Sequence, residues 1–211
     1  MTTDLKINAA SEISSDLFMR HPELEPCRDD FNAAFDLLLG AYASGGKVLV
    51  CGNGGSAADA EHIVGELMKS FRRKRRVPES TAAKLRPDLA SRLEGALPAV
   101  SLVSMSGIFT AFANDVAWET AFAQQVLGLA NPGDVLVALS TSGNSENCVA
   151  AAEVMKAVGG KTVALTGMRE SRLSAACDVA VRVPETDTYK VQELHLPVYH
   201  ALCAMLEAAL F

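Results

Sequence analysis

The stretch KVLVCGNGGSAADAEHIVGEL, residues 47–67, decides the fold. An apolar run too short for a helix passes into a Gly/Asn/Ser turn and then into an alanine-rich segment of helical period, a strand–turn–helix unit. A second stretch, PGDVLVALSTSGNSENCVAA (132–151), has the same plan: a Gly-then-charge lead-in, a VLV strand and a Gly/Ser/Asn loop opening a helix. Three further apolar runs, PAVSLV (98–103), KTVALTG (161–167) and DVAVRVP (178–184), read as buried strands of the same sheet. Helical segments are expected over 57–71, 145–157 and 188–209, behind a helical N-terminal region over about 10–43. This alternation predicts an α/β fold, a three-layer αβα sandwich on a five-stranded parallel sheet. In such sheets ligands sit beyond the carboxyl ends of the strands, so both glycine-rich loops should border one crevice.

Composition bounds the rest. The 211 residues, 49% hydrophobic and 21% charged, suffice for one compact domain, 1–211. A net charge of −6 argues against broad affinity for nucleic acid or an anionic membrane, and leaves small-molecule chemistry open. The five cysteines show no framework spacing, which fits a reducing cytoplasm. The first twenty residues lack the pattern of a secretory signal. Residues 95–114 carry no charge, but Pro98, Gly107 and three serines make them a strand, loop and helix rather than a membrane span. Segment 72–97 reads as a surface excursion, partly helical over 81–95, whose run Arg72–Arg76 is expected on a solvated face.

Two loops could cradle an anion with backbone amides, a helix N-terminus and hydroxyls: Asn53, Gly54, Gly55 and Ser56, and Ser140, Thr141, Ser142, Asn144 and Ser145. Ser56 and Ser145 also stand where ordinary capping would want them. Without a Walker-type lysine, these loops favour a phosphorylated small molecule over a nucleoside triphosphate. His62 and Glu66, four apart, share a helix face. Gln192, Glu193, His195 and His200 cluster on the terminal helix, where Pro197 is expected to kink the chain and His195 is weighed toward function.

Taken in order, CGNGGSAADAEH and GEL, FANDVAWETAFAQQV, GDVLVALSTSGNSENC, VALTG and VQELHLPVYH resemble the sugar isomerase (SIS) domain family, and within it the sedoheptulose 7-phosphate (phosphoheptose) isomerases. The resemblance covers residues 40–205. It implies a flavodoxin-like SIS domain with an N-terminal helical extension (about 1–44) and an insertion at 72–97. It further implies a cytoplasmic homotetramer with active sites at subunit interfaces. The reaction implied is conversion of sedoheptulose 7-phosphate to D-glycero-D-manno-heptose 7-phosphate through an enediol, for surface polysaccharide precursors. Glu66 would be the base and His200 the opposing acid. The serine loop with Ser56 would hold phosphate, while Asn53, Asn114, Asp115 and Gln192 would line the sugar pocket. His62, Glu66, Gln192 and His200 match positions that bind zinc in some members; no nucleotide or redox cofactor is implied. Relatives often carry a basic residue where Ser70 stands, so Lys69 or the Arg72–Arg76 run would have to substitute, and Tyr189–Lys190 also departs from the common pattern. The rival readings are an isomerase of another phosphosugar and a non-catalytic SIS protein that binds a phosphosugar or a partner protein. The relative of the latter kind that associates with a replication initiator lacks the histidine equivalent to His200, so Glu66 and His200 together favour an enzyme.

Overall fold

The computed structural model describes residues 3–211. Its centre is a five-stranded, wholly parallel sheet in the order β2-β1-β3-β4-β5, made of β1 (Val48–Gly52), β2 (Ala99–Ser101), β3 (Val135–Leu139), β4 (Lys161–Gly167) and β5 (Val179–Val183). All five apolar runs of the sequence are strands. They alternate cleanly in destination. Val48, Val50, Val135, Val137, Leu139, Val163 and Leu165 enter one core, and Leu49, Cys51, Leu136, Ala138 and Ala164 the other. That is the period-two signature of a sheet covered on both faces.

Helices α1 (Thr3–Arg20), α2 (Arg28–Ala43), α3 (Gly55–Met68) and α10 (Thr188–Leu210) cover the first face. Helices α6 (Ser106–Phe112), α7 (Ala121–Leu129), α8 (Glu146–Ala157) and α9 (Arg172–Ala176) cover the second. The expected sandwich is thus observed. The N-terminal extension is two helices broken by a 3-10 turn at Pro22–Cys27, and its first two residues lie outside the described residues. The uncharged stretch is β2 followed by α6, and no helix among the described residues is long and apolar enough to cross a membrane.

α3 starts at Gly55 and stops at Met68, short of the expected 71. Segment 72–97 is helical in part, in two four-residue turns, α4 (Glu79–Ala82) and α5 (Pro87–Ala90). α10 runs unbroken through Pro197 to Leu210. The charged lead-ins of the two similar units prove to be partners. The Lys47 backbone N–H and ammonium donate to Asp134 at 2.9 and 2.5 Å, pinning β1 to β3 at the end away from the loops. At the other end those loops leave adjacent strands where the strand order reverses, the place such a sheet offers to ligands.

Candidate active site

Gly54 makes the first loop possible: at φ +57° and ψ −119° it turns the chain from β1 into α3 in a conformation that only glycine adopts without strain. Gly55 has a different reason. A Cβ there would lie 2.3 Å from the Gln192 side-chain oxygen, so α3 begins pressed against the amide from α10. Across the crevice, Asn53 and Asn147 exchange amide hydrogen bonds of 2.8 and 2.9 Å, joining the loop after β1 to the helix after β3. Asn53, expected to line the sugar pocket, thus spends its side chain on Asn147.

The hydroxyls do not cap their helices. Ser56 lies inside the first turn of α3, whose N-cap is Gly54, and Ser145, the N-cap of α8, pairs its hydroxyl with Ser140 at 2.9 Å. Neither helix start has a side-chain cap bond; the Ser56 and Ala57 amides reach the Asn53 and Gly54 carbonyls, so the amides left for solvent or an anion are those of Gly55 in α3 and of Glu146 and Asn147 in α8. Thr141 and Ser142 line a cavity of about 180 Å³ with Asn144, Gly167 and Thr188.

One to two turns into α3 stand the groups that can move protons. His62 Nε2 lies 3.2 Å from Glu66 Oε1 and 3.3 Å from His200 Nε2, so α3 and α10 bring the expected base and acid into one cluster. The second oxygen of Glu66 accepts from Lys69 Nζ at 2.6 Å. Beneath them runs a network that the sequence reading missed. The Tyr199 hydroxyl contacts Asp59 Oδ1 at 3.3 Å and His62 Nδ1 at 3.1 Å, while Gln192 Nε2 donates to Asp59 Oδ2 at 3.0 Å. Burial raises the Asp59 carboxyl and the Tyr199 phenol, and burial with the adjacent His62 lowers His200. The phenol therefore keeps its proton. Given to Asp59, that proton obliges His62 Nδ1 to donate to the phenol oxygen and leaves Nε2 a lone pair; given to His62 Nδ1, it leaves Nε2–H to donate to Glu66. Asp59 was findable: it stands three residues before His62 and seven before Glu66, on the same helix face.

Other expectations fall differently. Asn114 and Asp115 are exposed, bonded to each other at 2.8 Å, and share no hydrogen bond with the His62–Glu66–His200 cluster. His195 is fully buried, its ring nitrogens have no well-formed hydrogen bond among the described residues, and burial lowers its pKa to about 4 against a weaker opposing pull from the Thr166 backbone. The run Arg72–Arg76 is solvated except at Arg75, which is buried on Glu207 and therefore unavailable to a phosphate. As for zinc, the His62–Glu66 and His62–His200 pairs stand at the ~3.3 Å that separates two ligands of one tetrahedral zinc. Gln192 is turned to Asp59, however, and among the described residues no three His, Cys, Asp or Glu side chains are placed to hold a metal together.

Comparison with known proteins agrees with this fold. Residues 108–210 match the SIS domain family, and residues 23–96 match a second SIS domain family. The phosphoheptose isomerase of Rhodospirillum rubrum is 37% identical over 205 residues, 97% of each chain. That of Burkholderia pseudomallei is 42% identical over 176 residues, 83% of this chain and 80% of the relative. Among solved structures, a phosphoheptose isomerase from Francisella tularensis superposes with a TM-score of 0.75 at 30% identity, covering 98% of both chains. The phosphoheptose isomerase of Neisseria gonorrhoeae gives 0.73 at 31%, covering 92% of this chain and 94% of that one.

Proposed function

The chain belongs to the SIS domain family, close to its phosphoheptose isomerases, and from that premise we propose that it interconverts sedoheptulose 7-phosphate and D-glycero-D-manno-heptose 7-phosphate. The single observation that carries the reading is the meeting of Glu66 and His200, from different helices, through His62 at 3.2 and 3.3 Å.

Moving a carbonyl between C2 and C1 of a sugar requires one carbon-bound proton to leave and another to arrive, with an enediol between. Glu66, at a side-chain exposure of 13%, is the base that takes the carbon proton and returns it to the neighbouring carbon. His200, held in its neutral form by burial and by His62, moves the proton between the two oxygens from the opposite side. The hydroxyls of Ser56, Ser140, Thr141, Ser142 and Ser145 and the uncapped starts of α3 and α8 hold the phosphate. Anchoring that distant charge brings the reacting carbons to Glu66, so phosphate binding energy serves orientation.

Zinc belongs to the proposal as well. His62, Glu66 and His200 would hold it, with Gln192 only once its amide leaves Asp59, and when bound it would supply polarisation of the sugar carbonyl. The assembly proposed is a homo-oligomer, a tetramer by family likeness, working in the cytoplasm on surface-polysaccharide precursors. Two features support oligomerisation: Val116, Trp118 and Leu127 leave large apolar side chains exposed, and the first two closely follow Asn114 and Asp115, which share no hydrogen bond with the cluster of their own chain.

The test is isotope exchange. The protein is incubated in deuterated water with a panel of ketose and aldose phosphates, with and without zinc. Deuterium at C1 or C2 of sedoheptulose 7-phosphate is expected, whereas incorporation into another sugar alone reassigns the substrate and none at all sinks the reaction. Glu66→Gln and His200→Gln should each lose isomerisation by at least ~100-fold while retaining phosphosugar binding by calorimetry.

A further inference from the structure

A buried ion pair that the reaction described above leaves unused ties its two helices together. Arg75 exposes 1% of its surface and Glu207 none. Arg75 Nε donates to Glu207 Oε1 at 2.7 Å, Nη1 to the Leu67 carbonyl at 2.6 Å, and Nη2 to the carbonyl of Glu66 itself at 3.0 Å. Glu207 also accepts the backbone N–H groups of Phe71, Arg72 and Arg73 at 2.9, 2.8 and 2.9 Å.

Position gives these contacts meaning. Glu66 and Leu67 lie in the last turn of α3, where carbonyls have no partner within the helix and the helix dipole favours a cation. Glu207 stands seven residues beyond His200, hence on the same face of α10 about two turns on. The guanidinium thus grips the backbone of the base at one end and, through Glu207, the helix of the imidazole at the other.

We propose that Arg75, anchored on Glu207, is a positioning residue for the isomerisation, holding Glu66 at its working distance from His200. The inference rests on the assignment of Glu66 and His200 as the reacting pair. A pair needed only for folding could end on any carbonyl of the neighbouring turn, whereas this one ends on those of the base and of the residue after it. The effect is large because a misplacement of ~1 Å at a reacting group costs about 100-fold in rate.

Arg75→Lys tests it, since a single ammonium keeps the charge but cannot replace the fork that reaches Glu207 and both carbonyls. The variant is assayed well below its own unfolding midpoint, with circular dichroism showing that every molecule is folded. We expect kcat to fall at least ~10-fold with KM for the phosphosugar within about threefold, because the phosphate loops are untouched. A variant that melts earlier but keeps the wild-type kcat when folded, or one that changes KM alone, overturns the proposal. Should Arg75→Lys not fold, Glu207→Gln carries the same test with the same two readouts, because it loosens the anchor and leaves Arg75 in place. A wild-type protein that turns over no sugar phosphate removes the reaction and this inference together, whereas an active wild type beside an unimpaired folded variant removes only the inference.

Discussion

Tyr199 has one proton and two neighbours for it, Asp59 at 3.3 Å and His62 at 3.1 Å, and the choice between them sets the tautomer of His62. The phenol resists ionisation and has one proton to give: donated to Asp59, it leaves His62 Nε2 bare, as a metal ligand must be, and donated to His62 Nδ1, it leaves an Nε2–H that the Glu66 carboxylate accepts. Tyr199→Phe removes this relay while keeping ring volume. It should cost about 1–2 kcal/mol of stability in urea denaturation, since Asp59 is buried and keeps only Gln192. It should also lower zinc affinity or activity by about 10- to 100-fold, measured by competition with a zinc chelator and by initial rates. A variant with wild-type zinc affinity and rate would show that the phenol only fills space. At this scale the sequence was partly legible. Helical spacing paired His62 with Glu66, but the roles of Tyr199 and Asp59 depend on α10 lying across α3, which no local pattern encodes.

α10 carries, on one rod, a functional histidine and a structural one. His195 points into the core among neighbours that offer its ring nitrogens no well-formed bond, and its pKa of about 4 lies below the 6.5 of an exposed histidine. The unfolded chain therefore takes up the proton first as pH falls. The stability tied to neutral His195 is intact above pH 6.5 and is lost progressively between about 6.5 and 4, amounting to roughly 3 kcal/mol at the acid end. His200, also lowered, adds in the same direction. His195→Leu should flatten the acid side of the stability curve and be at least as stable as wild type at pH 5, read from urea midpoints at several pH values. An unchanged slope would show that His195 titrates as it does in the unfolded chain. The strands were legible because residues buried on both faces form unbroken apolar runs, and the loops because glycine is required where φ is positive. Arg75 was not: it sits in a basic run that reads as solvated, and the carboxylate that buries it lies 132 residues away. The histidine misread has a different cause: five positions, about 140° of helical turn, separate His195 from His200, and it was its spacing of three from Gln192 that drew it toward the site.

At the scale of the whole molecule, one chain assembles the proton-moving groups and the hydroxyl loops but gives Asn114 and Asp115 no hydrogen bond to either. The same segment exposes Val116 by 66%, Trp118 by 49% and Leu127 by 59%, more apolar surface than a monomer gains from displaying. Both facts are accounted for if that surface packs on a second copy and carries Asp115 into the neighbour's crevice. Leu127→Asp should then lower the mass found by sedimentation and the activity together. Subunit mixing is more decisive. Glu66→Gln supplies an intact Asp115, and Asp115→Ala supplies an intact Glu66. Each variant alone should be nearly inactive, but if sites are shared, equal amounts co-refolded should regain about a quarter of wild-type activity, because random pairing in a symmetric assembly rebuilds that share of complete sites. If Asp115 serves its own chain, every site in the mixture keeps one defect and nothing is regained.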